Sequence, residues 1–116
     1  ELNRELLHSL LEELGADVRE AENGEEAVKL FGESAPGEFD GILMDVQMPV
    51  MDGCAAARWI RGMEREDAKR IVILACTANA FQDDIERVKA AGMDDHLAKP
   101  LNMEKVVDRL YEAWEG

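Results

Sequence analysis

Residues 71–76 read Ile-Val-Ile-Leu-Ala-Cys, six positions without a charged or amide side chain. A strand with one wet face alternates apolar and polar residues, whereas an unbroken apolar run of this length belongs to a strand covered on both faces. The chain must therefore supply a layer on each side of a sheet. A second run, Gly41 to Val46, has the same buried character and delivers a single carboxylate, Asp45, to a loop broken by Pro49 and Gly53.

The covering layers are legible as amphipathic helices. Leu2, Leu6, Leu7, Leu10, Leu11 and Leu14 share one face of a 3.6-residue period that Gly15 ends. Asp17 to Ala21 forms a short strand. Asn23 with Glu26 three residues on marks the start of a second helix, with Ala27, Leu30 and Phe31 inward and Ser34-Ala35-Pro36-Gly37 as its stop. A third helix follows Gly53, with Ala57, Ile60 and Met63 inward, and the run Glu64-Arg65-Glu66-Asp67 reads as its solvated end. Phe81 to Ala91 makes a fourth helix, with Ile85 and Val88 inward and Gly92 at its end. Asp95 to Ala98 is a short strand, and Asn102 caps a last helix with the stripe Met103, Val106, Val107, Leu110 and Trp114.

The order is α-β-α-β-α-β-α-β-α, four strands and five helices in one α/β domain over 1–116. Strict alternation implies parallel strands, right-handed crossovers and helices on both faces. In such a sheet ligands sit at the carboxyl ends of the strands. Asp45, Thr77 and Lys99 each fall at such an end, so a carboxylate, a hydroxyl and an ammonium should share one rim. That trio suits a phosphoryl group: the carboxylate attacks phosphorus, and the other two hold its oxygens.

Charge narrows the partners. With 13 basic against 26 acidic residues the net charge is -13, which repels nucleic acid and anionic membrane. No apolar run approaches the ~20 residues of a membrane-spanning helix. Cys54 and Cys76 stand outside any CxxC or Cys/His pattern and read as apolar fillers in a reducing, cytoplasmic setting. No GxxxxGK[ST], GxGxxG or HExxH occurs, which removes the nucleotide and zinc-protease readings. Asp52 reads as a helix cap, His8 as exposed, and Trp59 and Trp114 as helix packing, with an interaction face as the alternative for Trp114 near the end.

Taken together, Met44-Asp45-Val46-Gln47-Met48-Pro49-Val50-Met51-Asp52-Gly53, Thr77-Ala78 and Lys99-Pro100 resemble the landmarks of response regulator receiver domains, across nearly all of 1–116. Thr77-Ala78-Asn79-Ala80 and the stretch Gly92 to Leu101 are most similar to receivers of hybrid sensor histidine kinases. The resemblance implies a flavodoxin-like, doubly wound parallel sheet and a place in a two-component phosphorelay. It implies that Asp45 accepts a phosphoryl group from phosphohistidine, that Thr77 binds a phosphoryl oxygen and reports occupancy, and that Lys99 pairs with the phosphorylated Asp45. It further implies Mg²⁺ held by Asp45 and the Gln47 carbonyl, a switch at Thr77 and His96, and a histidine kinase or histidine phosphotransfer domain as partner. Beyond self-phosphorylation and dephosphorylation it implies no catalytic activity of the domain's own.

The sequence departs from the family at its front. Glu1-Leu2-Asn3-Arg4-Glu5-Leu6 is similar to the segment that follows the family's first strand and its two metal-binding acids. The expectation is an N-terminally incomplete receiver, with weak or absent Mg²⁺ binding and impaired metal-assisted phosphorylation. A piece cut from a longer receiver, a re-paired sheet or homodimer covering the open strand edges, and a receiver signalling without metal all fit that pattern. The rival functional classes are an aspartyl-phosphate phosphotransferase or phosphatase, and a phosphorylation-independent pseudo-receiver that binds proteins.

Overall fold

The computed structural model describes residues 4–13, 15, 19–21, 23–46, 51–77, 82–98 and 102–115, with backbone alone for 4–8, 82–84 and 115. The elements run α1 (Arg4–Glu13), α2 (Gly24–Glu33), β1 (Gly41–Asp45), α3 (Gly53–Arg61), α4 (Glu66–Arg70), β2 (Val72–Thr77), α5 (Gln82–Ala90), β3 (Asp95–Ala98) and α6 (Met103–Glu115). Local chemistry sets many of these bounds. Gly15, at φ 95°, follows α1, and its N–H donates to the Glu12 carbonyl. Asn23 Oδ1 accepts from Glu26 N at 2.9 Å, and Asn102 Oδ1 accepts from Glu104 N at 2.9 Å. Both are side-chain caps of the predicted kind.

The strands lie parallel in the order β1-β2-β3. Central β2 is buried along its whole length, as its apolar run requires. Alternate side chains enter two cores. Ile73 and Ala75 join Phe31, Met44, Ala57, Ile60 and Val88 beneath the helices of one face. Val72 and Leu74 join Leu97 and Val106 beneath α6 on the other. Ile73 and Leu74 are fully enclosed, each worth about 2 kcal/mol of burial.

Four details differ from the sequence reading, the first being that Trp59, read as helix packing, is 62% exposed on α3. Arg19–Ala21 carry no strand, while Asp17 and Val18 lie outside the described residues, so the sheet has three strands among the described residues. A sixth helix, α4, begins at Glu66 inside the run read as a solvated end and continues to Arg70. It forms because Ala68 reaches the core, and acids at its start and bases at its end suit the helix dipole. Trp114, placed in the inner stripe of α6 by periodicity, is 47% exposed. It sits in the last turn, where its Nε1 reaches out to donate to the Asp40 carbonyl at 2.9 Å.

Candidate functional site

Asp45 is the last residue of β1, Thr77 the last of β2 and Ala98 the last of β3. Parallel pairing sets their heights: Asp45 stands opposite Cys76, and Thr77 opposite Ala98. Thr77 is thus one residue beyond Asp45 on the neighbouring strand, within reach of a group the size of a phosphoryl, since adjacent strands lie about 4.8 Å apart and each residue rises about 3.3 Å. Asp45 is half-buried and Thr77 is buried, so water reaches the hydroxyl less than the carboxylate. Gln47 and Lys99 lie outside the described residues.

The loop leaving Asp45 is pinned from several sides. Val46 N donates to the Cys76 carbonyl at 3.0 Å, carrying the sheet pattern one residue past β1. Gly53 N donates to the Val46 carbonyl at 3.0 Å and closes the loop onto α3. Gly24 N, at the start of α2, donates to the Met51 carbonyl at 3.1 Å. A Cβ at Gly53 would strike the Asp45 carbonyl, and one at Gly24 would strike the Met51 carbonyl. Both glycines are therefore there for close approach. Asp52 caps α3, its Oδ1 accepting from Ala55 N at 2.8 Å, so it is occupied as a cap. Cys54 and Cys76 are buried thiols that form no disulfide.

His96 lies on β3 opposite Ala75, half-buried, with Nδ1 3.4 Å from Asp95 Oδ1. Asp95 in turn pairs with Arg109 of α6 at 2.7 Å. Sequence reasoning singled out His96 but not this Asp95–Arg109 tie, whose partners sit on different elements. His8 falls among residues described by backbone alone.

Among the described residues, no three His, Cys, Asp or Glu side chains gather to hold a metal ion. Asp45 is one carboxylate, and Mg²⁺ prefers six oxygens in near-ideal octahedral array. The described residues by themselves do not make a magnesium site.

The arrangement has well-populated relatives. The family model for the response regulator receiver domain matches residues 1–111. Hybrid signal transduction histidine kinase I of Dictyostelium discoideum is 37% identical over 103 residues, a match covering 87% of this chain. The match spans only 6% of that kinase's length. Among solved structures, the receiver domain of sensor histidine kinase PA1611 from Pseudomonas aeruginosa, with magnesium coordinated in its active site cleft, superposes with a TM-score of 0.85. It is 36% identical, over 98% of this chain and 89% of that one. The receiver domain of Ssk1 from Saccharomyces cerevisiae, crystallised with the histidine phosphotransfer protein Ypd1, gives a TM-score of 0.82 at 32% identity, over 94% of this chain and 79% of that one. The fold is that of these receivers, and the chain belongs to the response regulator receiver domain family.

Proposed function

We propose that this receiver is the phosphoacceptor of a histidine–aspartate relay and that Asp45 takes the phosphoryl group. The observation that supports this reading is the shared rim, with Asp45 ending β1 and Thr77 ending the neighbouring strand one residue beyond it. In the proposed step an Asp45 carboxylate oxygen attacks the phosphorus of a phosphohistidine. The P–O bond forms as the P–N bond breaks, and the departing imidazole nitrogen keeps the electron pair and takes up a proton. Thr77 Oγ1 donates to a phosphoryl oxygen, and Lys99 pairs with the phosphorylated Asp45.

The same reading assigns Thr77 and His96 to the switch that reports occupancy. It keeps the magnesium expectation in its weak form, with Asp45 and the Gln47 carbonyl as ligands, because the described rim offers one carboxylate. The donor of the phosphoryl group is a histidine kinase or a histidine phosphotransfer domain in the cytoplasm. The Ypd1 complex of the Ssk1 receiver supports that class of partner. A homodimer through open strand edges is the assembly to look for by mass in solution.

The test is intact-mass analysis after incubation with a small phosphoramidate donor and Mg²⁺, beside an Asp45→Asn control. The expected result is a single phosphoryl gain, slow because the magnesium site is weak, that the control lacks. No gain with this donor or with a phosphorylated histidine phosphotransfer protein overturns the reading, and the phosphorylation-independent binding module takes its place.

A further inference from the structure

Tyr111 and Trp114 of α6 are 58% and 47% exposed, where the wet side of a helix ordinarily carries polar residues. Their rings meet edge to face, with centroids 5.7 Å apart and planes at 88°. The Trp114 tether to the Asp40 carbonyl fixes the pair on the side of α6 that faces the start of β1. Arg109 leaves α6 on the other side, toward β3. The aromatic pair therefore lies at the end of the sheet opposite to the rim where Asp45 ends β1.

Its surroundings are acidic. Glu104, Asp108 and Glu112 recur at every fourth position of α6, and all are exposed. Among the described residues none of these carboxylates has an ion pair or side-chain hydrogen bond. Like charges at this spacing repel across the turns and work against the helix. Tyr111 stands three residues from Asp108 and one from Glu112, so the ring is bordered by carboxylates that no described side chain pairs, with Lys105 and Arg109 earlier on the helix.

Charge decides what this surface fits. At this acidic patch a second copy of a chain with net charge -13 is repelled, as are nucleic acid and anionic lipid. A basic segment is drawn in by the same field, and its lysine or arginine heads can pair with the carboxylates and sit over the open ring faces. Aromatic anchors ringed by polar groups are also the usual energetic centre of a protein interface. We propose that Tyr111 and Trp114, flanked by Asp108 and Glu112, form a docking surface for a basic segment of another polypeptide carrying apolar side chains among its cations. The surface does not depend on chemistry at Asp45.

The experiment uses the whole chain carrying Trp59→Phe, which leaves Trp114 as the remaining tryptophan; Trp59 is 62% exposed on α3. The probe is a short peptide alternating lysine and leucine, compared with its glutamate counterpart. A saturable change in Trp114 emission with the lysine peptide alone, and amide shifts concentrated on residues 108–115, are expected. Tyr111→Ala should weaken binding by about tenfold, the loss typical of an interface anchor. Asp108→Lys with Glu112→Lys should do the same, whereas Glu33→Lys with Glu64→Lys, equal in charge but on other elements, should leave it nearly unchanged. The proposal is overturned by the absence of saturable binding, by shifts spread over all acidic surfaces, or by equal loss in both charge pairs. Wild-type binding by Tyr111→Ala also overturns it, and so does self-association of the chain that Tyr111→Ala abolishes.

Discussion

Arg65 holds its guanidinium 4.6 Å from the centre of the Phe31 ring. The same group donates to the Phe31 carbonyl at 2.7 Å and to Asp67 at 3.0 and 2.7 Å. Asp67 also accepts from Gly37 N at 3.0 Å. One side chain thereby fastens the end of α2 and the turn after it to the start of α4.

Removing that clamp should be costly because it unties α2 from the start of α4. The Arg65 side chain is only 17% exposed, and Arg65→Ala takes the charged donor from the Phe31 carbonyl, which keeps Ser34 N, and from Asp67, which keeps Gly37 N. A loss of stability is expected from the missing hydrogen bonds and ring contact, read as a lower urea midpoint with unchanged slope. Arg65→Lys should recover only part of it, since an ammonium cannot make the paired bonds to Asp67.

The clamp also predicts an acid sensitivity. The Arg65 side-chain bonds, followed by the Gly37 backbone bond, hold the Asp67 carboxyl below its ordinary value of 3.8. A carboxyl depressed in the folded state stabilises at pH above its unfolded value, and that contribution is lost as pH falls through the folded one. Stability from this group should thus be intact at neutral pH and decline below 3.8. Thermal midpoints of Asp67→Asn should lie below wild type at pH 7 and converge on it under strong acid.

The two glycines Gly32 and Gly53 should respond oppositely to alanine. At Gly53 the new methyl meets the Asp45 carbonyl and forces the loop apart, at an expected cost of about 1–3 kcal/mol, with slower phosphoryl uptake at Asp45. At Gly32, inside α2, it makes ordinary contact 3.6 Å from Met63 Cε. Gly32→Ala should therefore stabilise by about 0.5–1 kcal/mol through helix propensity. Denaturant titration of both variants checks the pair.

Thr77 should act through its hydroxyl rather than its volume. Thr77→Ser keeps the donor and should take up phosphoryl at close to the wild-type rate. Thr77→Ala should slow uptake by at least about tenfold, the scale of losing one donor to a developing charge. Uptake followed by intact mass separates them, and matched circular dichroism shows that both remain folded.

What the sequence disclosed was governed by distance along the chain. Asn23, Asp52 and Asn102 were legible as caps because each bonds a backbone N–H two or three residues away. Ile71 to Cys76 was legible because complete burial needs an unbroken apolar run. The Arg65 clamp and the Arg61–Asp94 pair at 3.0 Å were not, since their partners come from remote elements. Helix α4, at five residues, is too short to show a period. The same period placed Trp114 inward, although the end of α6 lets it lean out to Asp40. Asp45 and Thr77 end their strands as the apolar runs indicated, and the pinning of the Asp45 loop by Gly24 and Gly53 had no local signature.

The parallel register of β1 and β2 also governs how such a chain reaches its native state. Gly41 pairs with Val72 and Leu74 with Asp95, so every rung of the sheet joins segments separated by at least one intervening helix. No hairpin among the described residues nucleates it, and the entropy of closing long loops is spent before any rung repays it. Folding should be slow beside a helical bundle of equal length, with helices flickering early and β2 gaining its two neighbours together near the rate-limiting barrier.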